Sequence, residues 1–340
     1  MLECEESGQV KTVVSREYLT GAARPQAYGV AFKDASGVFH KAYLMKNLKS
    51  LNEIIFLASV IGSPQQLMLS GIGPGDHLQA YGIKVVLDQP LVDQGMVDNI
   101  MNMLMIPSPV PVQVSLTQTV GITRFGNYMK ANSGLSFIFS PSAQRLSRDL
   151  GQLINKTKQP FTVPPKAMVK AVETINAIAK KTFKGSVIVE KVADPLSSGY
   201  LKLRNTNPKD NPALTFNYFK EPEDPRGGVL GMSTIVNVID TYPFSKFRYR
   251  NMTMQALIDM IVSLLWNKRP QHPSIVFSLE QFCTDTVMTM WHFHGGCQVG
   301  KVVDHDYKVL GVDALRVIDG STFLQSPGTN PQATVMMLGR

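Results

Sequence analysis

Apolar and polar positions alternate along much of this chain in ways that separate strands from helices. Ala27 to Phe32 is apolar, Asp34-Ala35-Ser36-Gly37 is a turn signal, and Val38 to Leu44 alternates, so this stretch predicts strand, turn and strand. Glu53 to Val60 runs apolar into Gly62-Ser63-Pro64. Ser63 can cap a helix and Pro64 suits its first turn, which predicts a helix over Gln65–Ser70 closed by Gly71-Ile72-Gly73-Pro74. Pro107, Pro109 and Pro111 then mark a crossing into a different layer.

Beyond those prolines, Leu135 to Ser140 reads as a strand. Met168, Ala171, Val172, Ile175, Ile178 and Ala179 recur at helical spacing within Lys166 to Phe183, after Pro164-Pro165 and before Gly185. Ser186 to Val192, Gly199 to Arg204 and Ala213 to Tyr218 alternate as strands separated by turn residues. A helix is predicted over 224–242, with Pro225, Gly227 and Gly228 weakening its start. Strands that follow one another without a helix between each pair indicate antiparallel α+β organisation rather than βαβ repetition.

Composition narrows the classes. The chain has 340 residues, enough for two domains or one large one, with 44% hydrophobic and 18% charged residues, as in ordinary globular proteins. No apolar run is long enough to span a bilayer. The first twenty residues hold Glu3, Glu5, Glu6, Lys11, Arg16 and Glu17 and show no signal peptide. The net charge is +8, and seven lysines fall between Lys156 and Lys184. Only Phe161 and Phe183 fall among them, too few to serve as stacking platforms, so they read as a solvated face and argue against nucleic-acid binding. Cys4, Cys283 and Cys297 supply no disulfide framework, although a Cys283–Cys297 bridge is sterically conceivable. The sequons at Asn155 and Asn251 are of a kind that arises by chance, and the compartment stays open.

The chemistry-bearing residues gather near the carboxyl end. Gly71-Ile72-Gly73-Pro74-Gly75 is not a dinucleotide loop, because its third glycine would fall at Asp76 and the run follows a helix. His292-x-His294-x-x-Cys297 has ligand types that suit zinc but nothing to complete a set of four, so no metal is expected. No Gly-x-Ser-x-Gly elbow is present. His292 lies just before Gly295-Gly296, where backbone can approach a ligand closely. A second polar loop carrying Asn330 follows thirty-eight positions on. An imidazole can take an alcohol proton as hydride leaves the carbon, and an asparagine can hydrogen-bond the same oxygen without adding charge.

These segments carry a resemblance. Gly62 to Pro74, Asn217 to Asp224, Trp291 to Lys301 and Gly311 to Arg340 resemble the glucose–methanol–choline (GMC) flavin oxidoreductases, in the plant HOTHEAD-like and mandelonitrile-lyase-like branch. The resemblance implies an α+β fold of the GMC type. A partial FAD-binding Rossmann-like domain would occupy 1–105, and a substrate domain with an antiparallel sheet backed by helices 106–285. A segment over 286–340 would return to the first domain with the catalytic residues. It further implies FAD as cofactor and a small-molecule alcohol or hydroxy acid, including hydroxy fatty acids, as substrate. His292 and Asn330 would be the catalytic pair, and Asp319, Gly320, Asn330, Pro331, Gln332 and Ala333 would contact the flavin. Met290, Trp291 and His294 would meet the substrate. Family precedent suggests a secreted protein.

The chain also departs from the family pattern. The amino-terminal Gly-x-Gly-x-x-Gly is not found, and the chain stops at Arg340, short of the usual final helix. Ser59 and Asp93 stand where relatives usually have glycine, and Ile100 where they usually have proline. Two further readings follow from this position: a hydroxynitrile lyase using the same histidine as acid and base, and a non-catalytic remnant that binds no flavin.

Overall fold

A computed structural model of the chain describes residues 9–16, 24–34, 36–45, 52–110, 112, 120–133, 185–263, 272–276, 278–328 and 330–340. The predicted strand at Leu135–Ser140 and helix at Lys166–Phe183 lie outside the described residues. The chain divides into two compact units, one of Met1–Asp98, Ser198–Asn217 and His292–Arg340, the other of Asn99–Ser197 and Tyr218–Trp291. The sequence-based boundaries at 105/106 and 285/286 differ from this division by several residues, and 198–217 falls in the first unit rather than in a block running from 106 to 285. The change of unit precedes the prolines, because the strand Ile100–Pro107 runs up to the first of them.

The second unit is built on an antiparallel five-stranded sheet in the order Met288–Thr289, Ile100–Pro107, Gly185–Val192, Tyr128–Ser133, Val120–Ile122. Period-two alternation places Leu104, Ile106 and Ile188 in one buried cluster with Met232, Ile235 and Ile239 of the helix Glu223–Ile239 and with Phe282. Met101, Met103, Met105, Val187 and Val189 form a second cluster, joined by Met288, Met290 and Trp291. Along the helix the buried Met232, Ile235 and Ile239 recur at three- and four-residue spacing, giving one apolar stripe. Asp224 in its first turn accepts the backbone N–H groups of Leu196 and Ser197, both at 2.8 Å. The glycines that weakened the predicted start have a packing role further in. A methyl at Gly231 would overlap the side chain of the buried Glu190, so glycine lets the helix close onto the sheet.

In the first unit the predicted hairpin is present as antiparallel Gln26–Lys33 and Phe39–Tyr43. Two short parallel pairs accompany it, Ile54–Phe56 with Leu315–Val317 and Ile72–Gly73 with Leu87–Asp88. A three-stranded sheet joins Ala213–Thr215, Gly199–Lys202 and Gln94–Met96. The helix Ser59–Leu69 begins four residues before the predicted cap, with Pro64 inside it and Ala58 at the cap position. Ser63 is therefore not a cap. Its side chain is buried and hydrogen-bonded elsewhere. Gly71 ends the helical segment in a left-handed conformation (φ 84°), as expected for a helix-closing turn.

Candidate active site

The loop carrying His292 is held on both sides within the first unit. On one side it pairs with residues 93–98: Val97 and His294 exchange N–H···O bonds, both 2.9 Å. Gly296 donates to the Gln94 carbonyl at 3.1 Å, and Asp93 N–H returns a bond to Gly296 O at 2.9 Å. On the other side, Gly295, Cys297 and Val299 donate to the carbonyls of Gly320, Ser321 and Thr322 at 3.2, 2.9 and 3.1 Å. The loop is thus the middle strip of three. Gly295 has φ 87°, and a methyl there would overlap the Gly95 carbonyl oxygen, so both the conformation and the close approach require glycine. Phe293 stacks on Phe216 with ring centroids 5.1 Å apart and planes 6° from parallel.

His292 itself is buried, and its backbone N–H donates to Asp98 Oδ1 at 3.1 Å. The residue before it, Trp291, has φ 60°, a strained conformation for a bulky side chain. Its N–H is satisfied by Thr289 Oγ1 at 2.8 Å. Strain of this kind persists only where the surrounding structure fixes it, and here it falls on the bond leading into the histidine.

Asp319 connects the carboxyl-terminal segment to the helix Ser59–Leu69. Ser63 Oγ donates to Asp319 Oδ2 at 2.5 Å and accepts the Ala58 N–H at 3.1 Å. Asp319 Oδ1 accepts the Ser321 N–H at 2.8 Å. Gly320 lies against Val60 of that helix and Val335 of the helix Gln332–Leu338: a methyl on Gly320 would sit 2.9 Å from Val60 Cγ2 and 3.8 Å from Val335 Cγ2. Cys297 is fully buried beside this group. Burial pushes its thiol far up, the Asp319 carboxylate adds to the rise, and a Ser321 hydrogen bond opposes it. Cys283 is likewise a free, buried thiol with its acidity suppressed by burial, so no Cys283–Cys297 bridge is formed.

The expected site residues separate into groups. His292, Asp319 and Gly320 belong to one hydrogen-bonded assembly with Ser63 and residues 93–98. Asp319, expected at the cofactor, has its carboxylate hydrogen-bonded to the Ser63 hydroxyl and the Ser321 amide. His294, expected at the substrate, is buried with Nδ1 3.2 Å from the His292 carbonyl oxygen. Met290 and Trp291 pack with the methionine cluster of the second unit. Asn330, Gln332 and Ala333 are exposed and Pro331 is half-buried, leading into the helix Gln332–Leu338. Asp98 escaped the sequence reading, since nothing in the sequence links it to a histidine 194 positions away. Ser63 bonds Asp319 instead of capping the helix.

Ser59 and Asp93, the two positions where resemblance led us to expect glycine, have φ 69° and 78°. Asp93 is also buried, which pushes its carboxyl up to about 7, against the opposing pull of a Gln94 hydrogen bond and the more distant Lys202 charge.

Residues 195–339 match the family model for GMC oxidoreductases. Among curated proteins, Protein HOTHEAD of Arabidopsis thaliana is 44% identical over 97% of this chain and 55% of its own length. The (R)-mandelonitrile lyase-like protein of Arabidopsis thaliana is 38% identical over 92% of this chain and 50% of its own. Sinalpyl alcohol oxidase Nec3 of Nesocodon mauritianus is 34% identical over 93% and 50%. The chain spans about half the length of the curated relatives it matches. The crystal structure of pyridoxine 4-oxidase from Mesorbium loti shares the fold, with a TM-score of 0.67 at 16% identity over 97% of this chain and 55% of that one.

Proposed function

From the match of residues 195–339 to the GMC oxidoreductase family model, we propose that the chain carries the proton-transfer half of an FAD-dependent site oxidising a CH–OH group. The observation that carries the reading is the double pinning of the His292 loop. Residues 93–98 hold one edge, residues 320–322 the other, and the left-handed Trp291 sets its entry. A base on such a loop meets substrate in a fixed position, which is what proton transfer in step with hydride departure requires.

The residues present fit the ring end of a flavin. The exposed amides of Asn330 and Gln332 offer donors and acceptors to a polar ring edge. The first bond of the terminal helix is Val335 N–H to Pro331 O, so the N–H groups of Gln332, Ala333 and Thr334 precede its ladder. When bound, the flavin supplies the hydride acceptor. His292 takes the hydroxyl proton as the C–H bond breaks, and Asn330 donates a hydrogen bond to the same oxygen. The substrate is a small alcohol or hydroxy acid.

Purified chain titrated with FAD, scanned at about 450 nm for bound flavin and assayed for dye reduction with primary alcohols and hydroxy acids, tests the proposal. We expect a yellow protein with alcohol-dependent dye reduction that His292→Ala abolishes while flavin remains bound. A protein that stays colourless with added FAD refutes catalysis by this chain. Cyanide release from mandelonitrile without dye reduction would favour the lyase reading, which the (R)-mandelonitrile lyase-like relative motivates.

A further inference from the structure

Asp93 takes no part in the chemistry above, yet it lies at the edge of the strip that holds His292. Its N–H donates to Gly296 O at 2.9 Å, and its carbonyl accepts the Leu201 N–H at 3.0 Å. Its backbone is thereby tied to the histidine loop on one side and to the strand Gly199–Lys202 on the other. It does this with a left-handed φ of 78° and only 2% of its surface exposed. The carboxyl takes a hydrogen bond from the Gln94 amide.

Lys202 and the Cys297 thiol are the charged or titratable groups that interact with it electrostatically. Lys202 is nearest in sign, but its ammonium lies over the Tyr200 ring, 5.0 Å from the centroid, and attracts the carboxylate only from a distance. His77, which also feels Lys202, has its own protonation suppressed by burial and by that lysine. The Cys297 thiol, buried in the histidine loop, feels both the Asp93 and the Asp319 carboxylates. No cation is seated against the acid among the described residues. Its carboxyl accordingly titrates near neutrality, not in the usual carboxylate range.

We propose that Asp93 is a positioning residue whose protonation state controls the His292 loop. With the carboxyl neutral, residues 93–98 stay paired to 292–296; with the carboxylate formed, they part from it towards water. The sign follows from linkage. In the parted run Asp93 regains an ordinary acidity, so between about pH 4 and about pH 7 the paired state holds a proton that the open state has released. Each rise of one pH unit in that window makes opening about tenfold easier, and above it the effect levels off. Parting breaks the Asp93–Gly296 and Gly296–Gln94 bonds and the Val97–His294 pair, while the bonds from Cys297 and Val299 to 321–322 stay in place. The link to catalysis rests on the proposed function; the opening itself does not.

Residue-resolved hydrogen exchange on the full chain, without flavin, tests it. The amides of Asp93, Val97, His294 and Gly296 would be followed from about pH 5 to about pH 8 in wild type, Asp93→Asn and Asp93→Gly, after correction for intrinsic rates. We expect wild-type protection at these four to lie below that of Cys297 and Val299 and to fall about tenfold per pH unit until about pH 7. Both variants should lose this slope: the first keeps the size and tolerates the left-handed backbone, and the second relieves the strain. A wild-type profile without slope overturns the proposal, as does an unchanged slope in Asp93→Asn. So does exchange of all six amides as one set, which would mean that only global unfolding exposes them. FAD plays no part in this measurement, so a colourless, inactive protein would count against the proposed function and leave the exchange result standing.

Discussion

Replacing Ser63 by alanine tests whether the amino-terminal helix and the carboxyl-terminal segment are joined by one buried contact. Ser63 is 0% exposed and Asp319 4%, and the 2.5 Å bond between them spans 256 sequence positions. Hydrogen bonds to charged groups contribute about 1.5–3 kcal/mol, and a buried acceptor that loses its donor costs the larger part of that range. The Ala58 N–H, which also loses a partner, lies at an exposed helix start where water replaces the hydroxyl, so it adds little. The expected loss is about 2–3 kcal/mol, a factor of roughly 30 to 150 in the folded-to-unfolded ratio. Urea unfolding followed by far-ultraviolet circular dichroism should show a midpoint lowered by about 1 M with little change in slope. A double-mutant cycle with Asp319→Asn apportions the effect. An amide oxygen still accepts the Ser321 N–H, but the charge at Oδ2 is gone, so Ser63→Ala in that background should cost under about 1 kcal/mol. Equal costs in both backgrounds, or a single-mutant loss below about 0.5 kcal/mol, would refute the reasoning.

Two further substitutions probe the backbone of the site. Gly295→Ala forces a methyl against the Gly95 carbonyl at a left-handed position. It should destabilise by about 3 kcal/mol or detach the loop, and a denaturation midpoint matching wild type would contradict that account. Ser59→Gly, at φ 69°, should do the reverse. Relief of left-handed strain, about 1–2 kcal/mol, exceeds the added entropy of a glycine, so a net gain of about 0.5–1 kcal/mol and a small rise in Tm are expected; a fall in Tm would show that the hydroxyl has a role of its own.

Much of the fold was legible because its elements advertise themselves locally. The hairpin around Asp34–Gly37, the strand Gly185–Val192, the helix Glu223–Ile239 and the glycine turn at 71 each follow from periodicity or backbone freedom within a short window. The candidate site was legible in part. His292 and Gly295-Gly296 stood out by residue type, and resemblance flagged Ser59 and Asp93, both of which prove to sit in glycine-like backbone. Ser63 was misread, because a Ser-Pro pair ahead of an apolar run is a strong capping signal and its competing partner lies 256 positions away. Asp98 gave no signal at all. The placement of 198–217 in the first unit was missed for a related reason: alternation identifies a strand but not the sheet that receives it.

Which stretches extend, which coil and which carry chemistry could be read along the chain, since periodicity, turn residues and side-chain type are properties of sequence neighbours. Tertiary structure decided what those residues do to one another. It made Asp319 a tie to Ser63, gave Asp98 the His292 amide, and placed an ionisable Asp93 out of water at the edge of the histidine loop. The physical reason is that hydrogen-bond partnership and desolvation depend on distance in space, and both are settled only when segments far apart in sequence close over the same atoms.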